Sequence, residues 1–115
     1  MEIRFRHKSG TGPLVYVAAM RYAPDRCAGR GDWLTLGWWK LRLGQIVYAF
    51  DTDNRYFAFY AEALNGSVWN GPYGAWVVQP VFEVCREVPN PEGFRRVGMS
   101  LIDTGGDDVL IDLVG

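Results

Sequence analysis

The residues of this chain that could do chemistry suit recognition better than catalysis: Trp38, Trp39, Tyr60, Trp69 and Tyr73, with Glu62 and a guanidinium from Arg42 or Arg55. Rings left exposed would offer faces for a planar or sugar ligand, and the few charged groups among them would fix its orientation. These side chains fall in three dense stretches: Gly37-Trp38-Trp39-Lys40-Leu41, the run from Arg55 through Glu62, and Trp69-Asn70-Gly71-Pro72-Tyr73-Gly74. Trp38 and Trp39 are adjacent, so in an extended strand one points into the core and the other outward. An outward tryptophan anchors a partner, and the same surface is a candidate homodimer contact. Glu62 shares the strand face of Tyr56 and Tyr60, either at a solvent-facing strand end or as a buried acid paired with arginine.

Catalytic readings are thinner. His7 is the only histidine, and a triad would need it against Ser9, Ser67, Ser100 or a cysteine, with an acid to orient it. Acidic groups gather at Asp51 and Asp53, at Asp103, and at Asp107 and Asp108. Asp51-Thr52-Asp53-Asn54 puts oxygen ligands at alternate positions but lacks the glycine and glutamate of a calcium loop, so it reads as a capped turn. Glycoside hydrolysis needs two carboxylates at a set separation that sequence does not show, so Glu62 with Asp51 or Asp103 is only a weak pairing for it. No catalytic residue, metal ligand or cofactor is assigned on these grounds. The expected function is a non-catalytic module binding a small ligand or a protein partner through Trp38, Trp39, Arg55, Tyr60, Glu62, Trp69 and Tyr73. The alternatives are a small hydrolase using His7 or the acidic cluster, and an inhibitor or sponge protein of a mobile element, the last suggested only by small size.

The elements that must carry these residues are strands. Fourteen glycines and six prolines break the 115 residues into short segments rich in β-branched and aromatic side chains. Strands are expected at 2–7, 14–20, from Trp33 into the double-tryptophan box, and at 46–50, 55–64, 76–84, 94–102 and 109–114. Leu14 to Met20 is apolar on both alternating faces, as in a central strand covered from two sides. A turn at Gly44 suggests a hairpin between the tryptophan-bearing strand and 46–50. Residues 68–74 read as a loop, Pro80 marks an edge or a bulge, and Pro89-Asn90-Pro91 separates the next strand. About eight short strands imply an all-β, two-layer antiparallel sandwich or small barrel in a single domain, with the sandwich preferred.

Composition excludes some partners. A net charge of -1 and a pI near 5.7 argue against gripping nucleic acid by phosphate neutralisation. The small basic groups Arg4, Arg6, His7 and Lys8, and Arg95 with Arg96, read as solvated strand faces. No apolar run reaches the ~20 residues of a membrane span, and the first residues lack the apolar core of a signal peptide. A cytoplasmic chain is therefore expected, with Cys27 and Cys85 as free thiols far apart in sequence and no zinc-binding spacing.

In order and spacing, the chain resembles the bacterial domain family of unknown function DUF1036. The resemblance rests on Val15-Tyr16-Val17-Ala18 with Tyr22, the Gly37-Trp38-Trp39-Lys40-Leu41 box, Tyr56 through Glu62, and Trp69 through Gly74. It closes with Gly93-Phe94-Arg95-Arg96-Val97-Gly98 and Ile102-Asp103-Thr104-Gly105. It spans nearly the whole chain and implies a family rather than an activity. Its members stand alone or are joined to other domains, a format that implies sensing or partner binding. Relatives carry cysteines near the positions of Arg6, Ile46 and Trp76, so the resemblance implies a disulfide set that this chain lacks and assigns no pairing to Cys27 and Cys85.

Overall fold

Two strands with apolar or small side chains along most of both faces lie at the centre of the molecule. β2 (Leu14–Tyr22) and β5 (Tyr56–Ala63) pair antiparallel, from Val15 opposite Ala63 to Met20 opposite Ala58. Side chains alternate across a strand, so Val15, Val17, Ala19, Phe57, Phe59 and Ala61 face one way while Ala18, Met20, Ala58 and Tyr60 face the other. Both sets are buried, in two separate clusters. The computed structural model that shows this describes residues 1–10, 12–27, 29, 31–79, 81–87 and 92–114.

Around this pair runs a sheet ordered β7 (Tyr73–Val77), β9 (Arg95–Asp103), β5, β2, β3 (Trp33–Arg42), β8 (Phe82–Cys85), with β6 (Val68–Trp69) paired to β5. The sheet curls until β7 approaches β3 and β8, forming a nearly closed six-stranded barrel. Among the described residues no backbone ladder joins β7 to β8. Side chains bridge the seam: Trp38 Nε1 donates to the Val78 carbonyl at 3.1 Å, and Arg86 Nε donates to the Gly74 carbonyl at 3.2 Å. The second cluster fills the barrel with Ala18, Met20, Ala58, Tyr60, Ala75, Val77, Phe82, Val97 and Met99.

A smaller sheet, β10 (Val109–Leu113), β1 (Glu2–His7) and β4 (Ile46–Asp51), covers the other face of β2 and β5, burying Ile3, Phe5, Phe50 and Leu113 against them. Its outer face mixes charged side chains with exposed Ile46, Tyr48 and Leu110, and on it Arg6 grips Asp112 through two bonds of 2.6 and 2.9 Å. The all-β, two-layer expectation holds, and the choice between sandwich and barrel resolves into both, since the barrel wall is also one layer of the sandwich. No described residue is helical, so no helix is long and apolar enough to cross a membrane.

Four sets of expectations need correction. β1 and β10 run parallel, so the sandwich is not wholly antiparallel. β3 and β4 form no hairpin: after the Leu43–Gly44 turn the chain leaves the barrel, and β4 pairs with β1. The Gly44 amide donates to the His7 carbonyl at 2.7 Å and the His7 amide to the Gln45 carbonyl at 3.1 Å, which ties the crossing to β1. The single strand expected at 76–84 is two, β7 and β8, on opposite sides of the seam, and the loop expected at 68–74 holds β6 and the start of β7. Pro80 and Pro89-Asn90-Pro91 lie outside the described residues.

The cysteines are the fourth. Cys27 and Cys85 are disulfide-bonded across 58 residues of sequence rather than free. Pairing of β3 with β8 sets Cys85 opposite Leu34, and the chain before β3 folds Cys27 against that same leucine. Sequence separation hid a proximity made by strand order. The free-thiol argument for the cytoplasm goes with it, since structural disulfides are rare there.

Candidate functional site

The barrel has a sealed end and an open end, and the expected site residues divide between them and the outer layer. At the sealed end Trp38, Tyr60 and Glu62 meet Arg95. The β2–β3 register sets Val17 opposite Trp39 and Ala18 opposite Gly37, leaving Trp38 as the extra residue of a bulge. Its indole turns into the barrel, edge-on to Tyr60 and Phe82 at 6.1 and 6.2 Å. Arg95 Nη2 reaches Glu62 Oε1 at 2.6 Å, with its guanidinium 5.7 Å from the centre of the Trp38 ring. The Tyr60 hydroxyl donates to Glu62 Oε2 at 3.2 Å. Burial above all, with help from the Glu62 carboxylate, raises the Tyr60 phenol above its ordinary range, while Arg95 opposes them. A neutral phenol held by a paired carboxylate closes the barrel and offers neither nucleophile nor base.

Trp39 and Trp69 belong to the other layer. Trp39 packs beside Phe5 and Phe50 at 6.4 and 6.1 Å. Trp69 lies against the same core and donates its Nε1 hydrogen to the Val114 carbonyl at 3.0 Å. Neither tryptophan of the box stands free: bulge and alternation send them to opposite faces, and both faces are packed.

The open end collects side chains that sequence reasoning largely missed. Met20, Trp33, Tyr56, Tyr73, Arg86 and Leu101 line a cleft of about 220 Å³. Each comes from a different one of the six barrel strands, Arg86 from the residue just after β8. The registers Met20 opposite Ala58, Ala58 opposite Leu101 and Tyr73 opposite Met99 put these positions on the barrel-facing side. Tyr56, Tyr73 and Leu101 remain 39%, 40% and 43% exposed. Tyr22 extends the aromatic rim, edge-on to Trp33 at 5.7 Å. Of the residues expected to bind, Tyr73 lines this cleft and Arg55 flanks it. Arg55 sits over Tyr56 and is held by Asp103 through bonds of 2.6 and 2.8 Å. Those bonds and the Gly105 amide keep the Asp103 carboxyl below its usual range. Thr35, opposite Met20, is fully buried, and its hydroxyl has no hydrogen-bond partner.

One signal could have found this cleft. The alternation through Met20 and Tyr22 in β2, and through Met99 and Leu101 in β9, marks one face of each strand. Nothing local distinguishes Arg86 or Arg95 from other surface arginines.

The catalytic candidates are otherwise engaged. His7 is fully buried; its Nδ1 accepts from the Ser9 amide at 3.2 Å, so Nε2 carries the hydrogen and donates to the Gly12 carbonyl at 2.9 Å. Asp51 accepts from the Tyr48 hydroxyl, which pushes that phenol up to about 12. Asp108 accepts from the Glu2 amide at 2.8 Å. Among the described residues no three His, Cys, Asp or Glu side chains are grouped to hold a metal ion.

Fold and cleft together define an all-β protein in which a barrel, sealed at one end and open at the other, shares a wall with a second sheet. Comparison with protein-family models, with curated proteins and with solved structures finds no match.

Proposed function

We propose that this chain is a non-catalytic binding module, as its resemblance to DUF1036 implies, and that its site is the open end of the barrel. The observation that carries the reading is the cleft itself: six strands each deliver one side chain to it, and its rings stay partly exposed after the core is filled. Convergence of that kind gives a largely preformed, apolar-walled site with few polar groups, the usual character of a ligand pocket. Its volume is about 220 Å³. Ordinary ligand pockets begin near ~300 Å³, so the occupant is a single ring or one side chain rather than a nucleotide or an oligosaccharide. The engaged ring nitrogens of His7 and the paired acids weigh against the hydrolase reading. The Cys27–Cys85 bond favours an oxidising compartment over the cytoplasm.

A fragment screen by heteronuclear NMR tests this. Ring-bearing fragments are expected to shift the Trp33 indole and the Tyr73 and Leu101 amides, and Tyr73→Ser is expected to weaken them at least about tenfold, as for loss of a well-packed anchor. Hits that map to the sealed end or to the small sheet, or that survive Tyr73→Ser unchanged, would overturn the assignment.

A further inference from the structure

We propose that the open end of the barrel selects a single aromatic ring bearing a carboxylate, with Arg86 as the counter-ion; this rests on the binding reading above. Trp33, Tyr56 and Tyr73 provide the ring walls, and Met20 and Leu101 the remaining apolar surface. Arg86 is the only charged residue among the six. Its backbone amide is taken by the Trp33 carbonyl at 2.9 Å and its Nε by the Gly74 carbonyl at 3.2 Å. Among the described residues no carboxylate pairs with its two terminal nitrogens. Asp103, opposite Tyr56 at the rim, is already held at both oxygens by Arg55.

An unpaired guanidinium among apolar walls is costly to desolvate, and a ligand anion offsets that cost. The planar fork left free matches a carboxylate with two parallel hydrogen bonds. Three aromatic faces alone would equally suit a cationic ligand, but Arg86 among them repels one. Ring and anion must lie close together, no more than a methylene apart, because a volume of about 220 Å³ leaves no room for a longer spacer.

The experiment is a calorimetric and NMR titration of the intact protein with phenylacetate, neutral phenylacetamide, cationic phenethylamine and phenyl phosphate. Phenylacetate is expected to bind at least about tenfold more tightly than the amide, the gain typical of charge-assisted hydrogen bonds, and the amine not to bind. Arg86→Gln should abolish the preference, bringing the acetate down to the amide measured on the same variant, and Arg86→Lys should restore part of it. Equal binding of acetate and amide by the unaltered protein overturns the inference without any variant, so an unfolded Arg86→Gln protein would not leave the matter open. Tighter binding of phenyl phosphate than of phenylacetate overturns the choice of carboxylate. Binding of the amide that depends on Tyr73 but shows no preference for the acetate sinks this inference alone. Absence of binding by every ring sinks the binding reading beneath it.

Discussion

Gly98 fixes where Tyr73 stands. A Cβ at Gly98 would lie 2.2 Å from the Gly71 carbonyl oxygen, and one at Gly71 would lie 2.6 Å from the Met99 carbonyl oxygen. The chain entering β7 therefore rests directly on β9, and the Gly71 amide bonds the Gly98 carbonyl at 3.3 Å. Gly98→Ala must push backbone from backbone, with an expected loss of about 1–3 kcal/mol in urea denaturation and weaker ring binding as Tyr73 moves. Thr35 predicts the opposite sign. Thr35→Val keeps the β-branched shape and removes a buried hydroxyl with no partner, so the midpoint in urea should rise, corresponding to about 1 kcal/mol. A fall would mean that the hydroxyl has a partner the structure does not show.

At the scale of elements, the seam between β7 and β8 is held by side chains where the other barrel strands have ladders. Trp38→Phe deletes the bond to Val78 while keeping most of the ring, and should cost about 1 kcal/mol. Hydrogen exchange is expected to quicken in β7 and β8 and not in β2. The disulfide holds the neighbouring segment, one residue before Arg86. In the chain-entropy view, closing 58 residues stabilises by about 4 kcal/mol, so a Cys27→Ala/Cys85→Ala protein should melt well below the oxidised one and bind phenylacetate more weakly. Unchanged melting would show that β8 is held without it. Most strand positions, though not the division into β6, β7 and β8, and the double coverage of β2 were legible in the sequence, because alternation is local and Leu14 to Met20 carries apolar side chains on both faces. The cleft was not, since it depends on which strands neighbour one another. Nothing near Arg86 indicates that β8 borders β3, and nothing near Gly44 says that the turn leaves the barrel instead of closing a hairpin. Trp38 and Trp39 were read correctly as opposed, but only the second sheet determines that the outward one is packed too, leaving both half-buried.

For the whole molecule, the paired charges set the limits of pH stability. Asp103 and Asp112 are held below their unfolded value of 3.8, chiefly by hydrogen bonds from Arg55 and Arg6. Their contribution is full above that value and is lost as pH falls through the lower folded one. Both pairs are exposed and screened, so the melting temperature should fall only modestly on their account below about pH 4, and that part of the fall should vanish in Asp103→Asn/Asp112→Asn. Tyr48 acts in the other direction: its contribution is present below 10.0 and is lost as pH climbs towards about 12. Because β2 and β5 wall both hydrophobic clusters, neither cluster has a boundary of its own. In a saturation mutagenesis scored by abundance, most surface strands will show permissive and forbidding positions in turn. Residues 17–20 and 57–61 will instead form unbroken blocks of intolerance, leaving variation to accumulate on β4, β10 and the rim of the open end.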